Sequence, residues 1–135
     1  MGTRSLTYVH DEYEDRPLVC IYRQFDGYPE EMGEDLRVFL HDRVVGNGIG
    51  ANCPPKYSNG MGELAAQLVM ELKSDNPSGN IYLCPIDSEE HDVGQEYVYH
   101  IKLLSNPPTR AELALTVDCI YEQKSYEIKI QEEGG

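Results

Sequence analysis

Tryptophan is absent from this 135-residue chain and phenylalanine occurs only twice, whereas tyrosine occurs ten times. Nearly every ring therefore carries a hydroxyl, which suits half-buried strands and also offers a stacking face with a polar tip. Cations are scarce, with 11 Lys and Arg against 24 Asp and Glu, for a formal charge of -13. Such a surface repels a phosphate backbone and excludes wrapping a nucleic-acid polymer. It suits a basic protein partner, and it leaves room for a small anion in a locally neutral pocket. No run of 18 apolar residues occurs, and the opening MGTRSLTYV lacks an apolar signal core, so a cytoplasmic protein with no membrane contact is expected. The same opening is a poor myristoylation signal, because Arg4 and Leu6 fit badly. Cys20, Cys53, Cys84 and Cys119 are dispersed, with no C-x-x-C and no His at zinc-finger spacing. They read as reduced, mostly buried thiols, and neither a metal nor a cofactor is expected.

The chain is long enough to bury a core without staples and is read as one domain over 1–131, with a frayed tail over 132–135. SLTYVH and PLVCIYRQF are β-rich runs split by the acidic turn DEYEDR. After Pro29, Met32, Leu36, Phe39 and Leu40 recur at helical spacing with acids biased to the amino end. A second helix is predicted from about Met61 to Lys73 and is stopped by SDNPSGN. NIYLCPI, EYVYHIKLL, ELALTVDCIY and SYEIKI follow as four strands, read as a meander. The fold class is therefore α+β: a mostly antiparallel sheet of about six strands with two helices packed on one face. Leu36, Phe39, Leu64, Leu68, Val117 and Ile128 are the predicted core.

Two features point to a ligand. NGIG and NGMG bracket the loop ANCPPKYS, and the second copy opens the second helix. Glycines let a ligand approach the backbone, and a helix start offers unpaired N–H groups and about half a positive charge. Neither a Walker A loop nor a dinucleotide fingerprint is present. Charge is also uneven, since residues 43–62 and 97–111 contain no Asp or Glu. The first stretch carries Arg43 and Lys56; the second carries His100, Lys102 and Arg110 beside Tyr97 and Tyr99. Glycine loops and buried strands have little room for acids anyway, so a neutral anion pocket is one of two readings.

The stretch YRQFDGYP places a cation, an amide, a carboxylate and two tyrosines around one turn. On the ligand reading, Arg23 meets a phosphate; otherwise it pins the turn through Asp26 or Glu30. The candidate ligand-binding residues are Arg23, Gln24, Asp26, Tyr28, Asn47, Gly48, Gly50, Asn59, Gly60, Gly62 and Tyr99.

Together, MGTRS, YRQFDGYP, NGIG and NGMGELAAQLV resemble blocks shared by a group of small uncharacterised phage and bacterial proteins. The resemblance spans most of the chain up to about residue 100. It implies a phage or mobile-element context and brings no established activity with it.

No catalytic constellation emerges. His10, His41, His91 and His100 are scattered, no serine or cysteine sits in a nucleophile elbow, and DSEEHD lacks the spacing of a calcium loop. An Asp26–His41 acid–base pair needs the first helix to fold back. The leading expectation is a non-enzymatic protein that sequesters a small phosphate-bearing ligand, a nucleotide immune signal if the phage context holds. The alternatives are an acidic inhibitor of a basic host protein and a small nucleotide hydrolase. Homo-oligomerisation stays open, and the terminal Gly134-Gly135 gives only weak support for a conjugated modifier.

Overall fold

The computed structural model describes residues 2–13, 16–50, 53–86, 92–104 and 112–131. The acidic segment 87–91, Arg110 and the tail 132–135 lie outside them. β1 (Ser5–His10) and β2 (Pro17–Arg23) pair antiparallel, as the two β-rich runs imply. A wide helical turn at Pro29–Gly33, in which the Glu34 N–H reaches back to the Pro29 carbonyl, leads into α1 (Glu34–Leu40). The first predicted helix is thus two short pieces. β3 (Val44–Gly46) and β4 (Tyr57–Asn59) form a small parallel pair that glycine content concealed. α2 (Gly60–Asp75) follows directly.

The remaining strands are β5 (Ile81–Cys84), β6 (Tyr97–Leu103), β7 (Leu113–Cys119) and β8 (Lys124–Ile128). The main sheet runs β5-β2-β1-β6-β7-β8, antiparallel throughout except between β1 and β6. The architecture is α+β, with six strands and two helices. The expected meander holds only for β6 to β8, because β5 pairs with β2 instead. Asn80 draws it there: its carbonyl and side-chain oxygen accept the N–H groups of Gln24 and Phe25 at 2.9 and 2.8 Å.

Alternation along the strands separates two faces. Val9, Ile21, Tyr99, Ile101, Leu115 and Val117 are buried with Leu36, Phe39, Leu64, Leu68 and Leu72 of the helices in one core. Both helices therefore pack on a single face. Each buried leucine contributes about 2 kcal/mol. Of the predicted core residues, Ile128 is only half-buried, because β8 is an exposed edge strand. The opposite face carries a smaller cluster of Leu6, Tyr8, Cys20 and Val98. Among the described residues no helix is long and apolar enough to cross a membrane.

Candidate functional site

The end of β2 folds into a corner that satisfies itself. Asp26 takes a left-handed conformation (φ 61°), and the Gly27 N–H donates to the Thr3 carbonyl at 2.9 Å. A Cβ on Gly27 would stand 2.7 Å from the Ser5 Cβ and 2.9 Å from its backbone nitrogen, so only glycine fits. The Tyr99 hydroxyl, from β6, donates to the Gly27 carbonyl at 2.7 Å. The Tyr28 carbonyl accepts the N–H groups of Glu31 and Met32, which starts the wide turn.

Arg23 is 6% exposed and tied into this corner. Its Nε donates to the Phe25 carbonyl at 2.7 Å, and one terminal nitrogen meets Asp35 Oδ2 at 2.8 Å and Met32 Sδ at 3.4 Å. The ion-pair partner is thus Asp35 on α1, neither Asp26 nor Glu30, because the helix swings back over the strand end. A ligand phosphate would have to displace Asp35 and open the corner. Tyr28 adds no welcome for an anion: partial desolvation, then Asp26, Glu31 and Glu30, push its hydroxyl above the usual phenol range. Tyr99 is fully buried, and burial raises its hydroxyl strongly, so its ring is a core element and not a stacking platform. Gln24 is half-buried at the sheet edge, with its side-chain oxygen 3.5 Å from the Tyr82 hydroxyl.

The glycine segments build a different place. The Asn59 side chain accepts the Gly48 N–H at 2.7 Å, while the Tyr57 hydroxyl donates to the Gly48 carbonyl at 2.5 Å. Gly60 has φ 83° and lets the chain turn from β4 straight into α2. The first N–H groups of the helix already meet carboxylates. Asn59 N donates to Glu63 Oε1 at 2.9 Å, and Met61 N reaches Glu12 Oε2 at 3.3 Å. Around them lies a cleft of about 310 Å³ lined by Glu12, Tyr13, Val45, Gly46, Asn47, Asn59, Gly60 and Leu103.

Only Asn47, Asn59 and Gly60 of the sequence-predicted residues line this cleft, with Gly48 held beside it by Asn59. Gly50 is engaged with Cys53, its N–H 3.4 Å from the Cys53 sulfur, and Gly62 sits in the first turn of α2 with open space around it. The Arg23 corner is elsewhere. Arg23 is opposite Ser5 at the start of β1, whereas Glu12 and Tyr13 follow its last residue, His10. Six residues of strand span about 20 Å, so the predicted residues fall into two groups at opposite ends of the sheet.

Sequence reasoning missed Glu12, Tyr13, Val45, Gly46 and Leu103. The segment DEYEDR carried a signal, an acid next to an aromatic, but nothing local says that it returns to the start of α2.

The cations of the acid-free stretch act as fasteners. Arg43 lies 3.8 Å from the centre of the Phe39 ring and donates to the Phe39 carbonyl, Ser58 Oγ and Gln67 Oε1. Lys56 Nζ caps the Val38 carbonyl at 2.8 Å. Desolvation lowers both cations from their ordinary values. They tie the β3–β4 pair to the end of α1.

The histidines group in an unforeseen way. His10 Nε2 and His100 Nδ1 are 2.9 Å apart, and His100 Nε2 is 3.2 Å from Asp118 Oδ2. Ser125 Oγ donates to Asp118 Oδ1 at 2.6 Å. The serine lies on the carboxylate, not on an imidazole, so this order does not activate it as a nucleophile. His41 sits beside Asp42 at 3.4 Å, in place of the considered Asp26. Among the described residues, no group of three His, Cys, Asp or Glu is arranged to hold a metal ion. No protein family, curated protein or solved structure matches the chain.

Proposed function

We propose that this protein binds and sequesters a small phosphate-bearing ligand, a nucleotide, in the cleft at the start of α2. The observation that carries the reading is the Glu12 carboxylate on the Met61 N–H. A helix start attracts negative charge, and this one is already served by an anion from a separate loop. A ligand phosphate takes that place when Glu12 swings aside. The Asn47 and Asn59 amides offer donors for further oxygens, and Tyr13, 79% exposed, offers a ring on which a base can stack. These groups hold a ligand and do not attack it, which supports sequestration over cleavage. The blocks resembling phage proteins favour a nucleotide immune signal as the captured molecule, in a counter-defence role.

The test is incubation with a panel of cyclic and linear nucleotides, removal of the protein, and release of its cargo by heat. Depletion followed by intact recovery is expected. Recovery as products would make the protein a nucleotide hydrolase, and no depletion of any nucleotide would overturn the proposal. In that last case an acidic inhibitor becomes the better reading. Glu30, Glu31, Glu34 and Asp35 form an exposed acidic face on the wide turn and α1, fit for a basic protein.

A further inference from the structure

We propose that Cys20 and Cys84 are a site of oxidative modification, at which a small-molecule disulfide converts two facing thiols into a cross-strand disulfide joining β2 to the edge strand β5. The two residues are directly opposite in antiparallel register. Such partners stand about 4.5–5.5 Å apart at Cα, inside the range of about 4.4–6.8 Å that a disulfide spans. They project from the same face, as do their neighbours two residues along, Tyr22 and Tyr82, whose rings stack at 5.6 Å. Cys84 packs against the small apolar cluster that contains Cys20 on that face.

Access orders the steps. Cys84 is half-buried on an edge strand, whereas Cys20 is completely buried between β1 and β5. The Cys84 thiolate attacks the external disulfide RSSR, forming a mixed disulfide and expelling one RSH after proton uptake. The Cys20 thiolate then attacks the Cys84 sulfur and expels the second RSH. Two protein thiols lose two protons and two electrons, and RSSR gains both to become two RSH. Burial pushes the Cys84 thiol up while the neighbouring Cys20 side chain pulls it down, so the first step is slow at neutral pH.

The consequence falls on β5. Among the described residues this four-residue strand pairs only with β2, and Tyr82 and Leu83 are exposed, so it is an edge of the sheet that opens readily. A bond from its last residue to β2 stops that opening. Cys53, exposed and remote in the β3–β4 loop, serves as an internal standard of ordinary reactivity, and Cys119 is buried on the other face.

The test uses the full chain, incubated with oxidised glutathione, quenched by alkylation after unfolding, and mapped without reduction. Expected are a linked Cys20–Cys84 peptide, simultaneous loss of both alkylatable thiols, and amide exchange over residues 81–84 slowed about tenfold or more. Cys84→Ser, a change at a half-exposed position, should leave Cys20 fully alkylatable. The inference is overturned if Cys84 stops at a stable glutathione adduct with Cys20 reduced. It is equally overturned if neither thiol reacts while Cys53 is fully modified, or if Cys20 is oxidised in Cys84→Ser. None of these outcomes bears on the nucleotide proposal, which rests on the start of α2, packed against the other face of the sheet.

Discussion

The Arg23 corner and the glycine cleft draw on the same ingredients, a charged side chain, a glycine turn and tyrosines, yet they end in opposite conditions. At the corner Arg23, Gly27 and Tyr99 are buried, while Phe25 and Asp26 face solvent. Arg23 has an acid, a carbonyl and a sulfur as partners, and Gly27 exists to let the backbone pass Ser5. At the cleft, Tyr57 and Glu12 fill the space beside Gly46 and Gly60, yet an open volume of about 310 Å³ remains, and the charged group, Glu12, comes from a separate loop and meets a backbone N–H at 3.3 Å. The difference teaches that polar density in a sequence marks demand for partners. Whether the chain itself meets the demand is decided by what packs alongside.

Arg23→Ala gives the largest expected effect. It leaves the Phe25 carbonyl short of its donor, opens a gap against Met32 and strips Asp35 of its partner. Because Asp35 is about half exposed (47%), the loss is placed at about 2–3 kcal/mol, below that for a fully buried pair. Urea unfolding should register it, while nucleotide affinity of the folded protein stays unchanged. A large loss of affinity with stability intact would return Arg23 to the binding site.

Gly27→Ala should cost about 2 kcal/mol, since the new methyl meets strand backbone that cannot yield. A melting temperature within a degree of the parent would show that the corner is looser than its geometry. On the cleft side, Glu12→Gln removes the competing anion and should tighten binding of a phosphate ligand about tenfold, measured by calorimetry. Weaker binding would instead make Glu12 a direct contact to a cationic or hydroxyl-bearing ligand and break the contrast.

Smaller effects sharpen the boundaries. Gly62→Ala enters open space in the first turn of α2 and should stabilise by about 0.5 kcal/mol without touching binding, which separates Gly62 from Gly60. Smallest is Glu34, whose carboxyl the Arg37 hydrogen bond holds below its ordinary value. A depressed pKa contributes stability above the unfolded value and loses it as pH falls through the folded one. Glu34→Gln should therefore cost under about 0.5 kcal/mol at pH 7, an amount discounted for solvent screening. The difference should fade as pH falls below the ordinary carboxylate range in parallel denaturation series.

Much of the fold was legible because its signals are local. The period of Leu64, Leu68 and Leu72 requires a helix with one apolar face, and alternation along β6 and β7 requires a sheet with one face covered. Asn59, Gly60 and Asn47 were legible for the same reason, as turn and helix-start chemistry. The strand order was not, because β5 reads equally well beside β6 or β2 until Asn80 meets Gln24 and Phe25. The partner of Arg23 was not legible either. Five acids follow Arg23 up to residue 35, and only the return of α1 over the strand end selects Asp35.

The amino-acid sequence by itself determined the two helical segments, the six strands of the main sheet, the burial of one sheet face and the excess of negative charge, since each follows from neighbours a few residues apart. Tertiary structure alone decided that Arg23 is closed in, that Glu12 reaches the start of α2, that His10 meets His100 and that Cys20 faces Cys84. These pairings join residues 12 to 90 positions apart, and their geometry depends on the register and order of strands, which packing of the whole core selects.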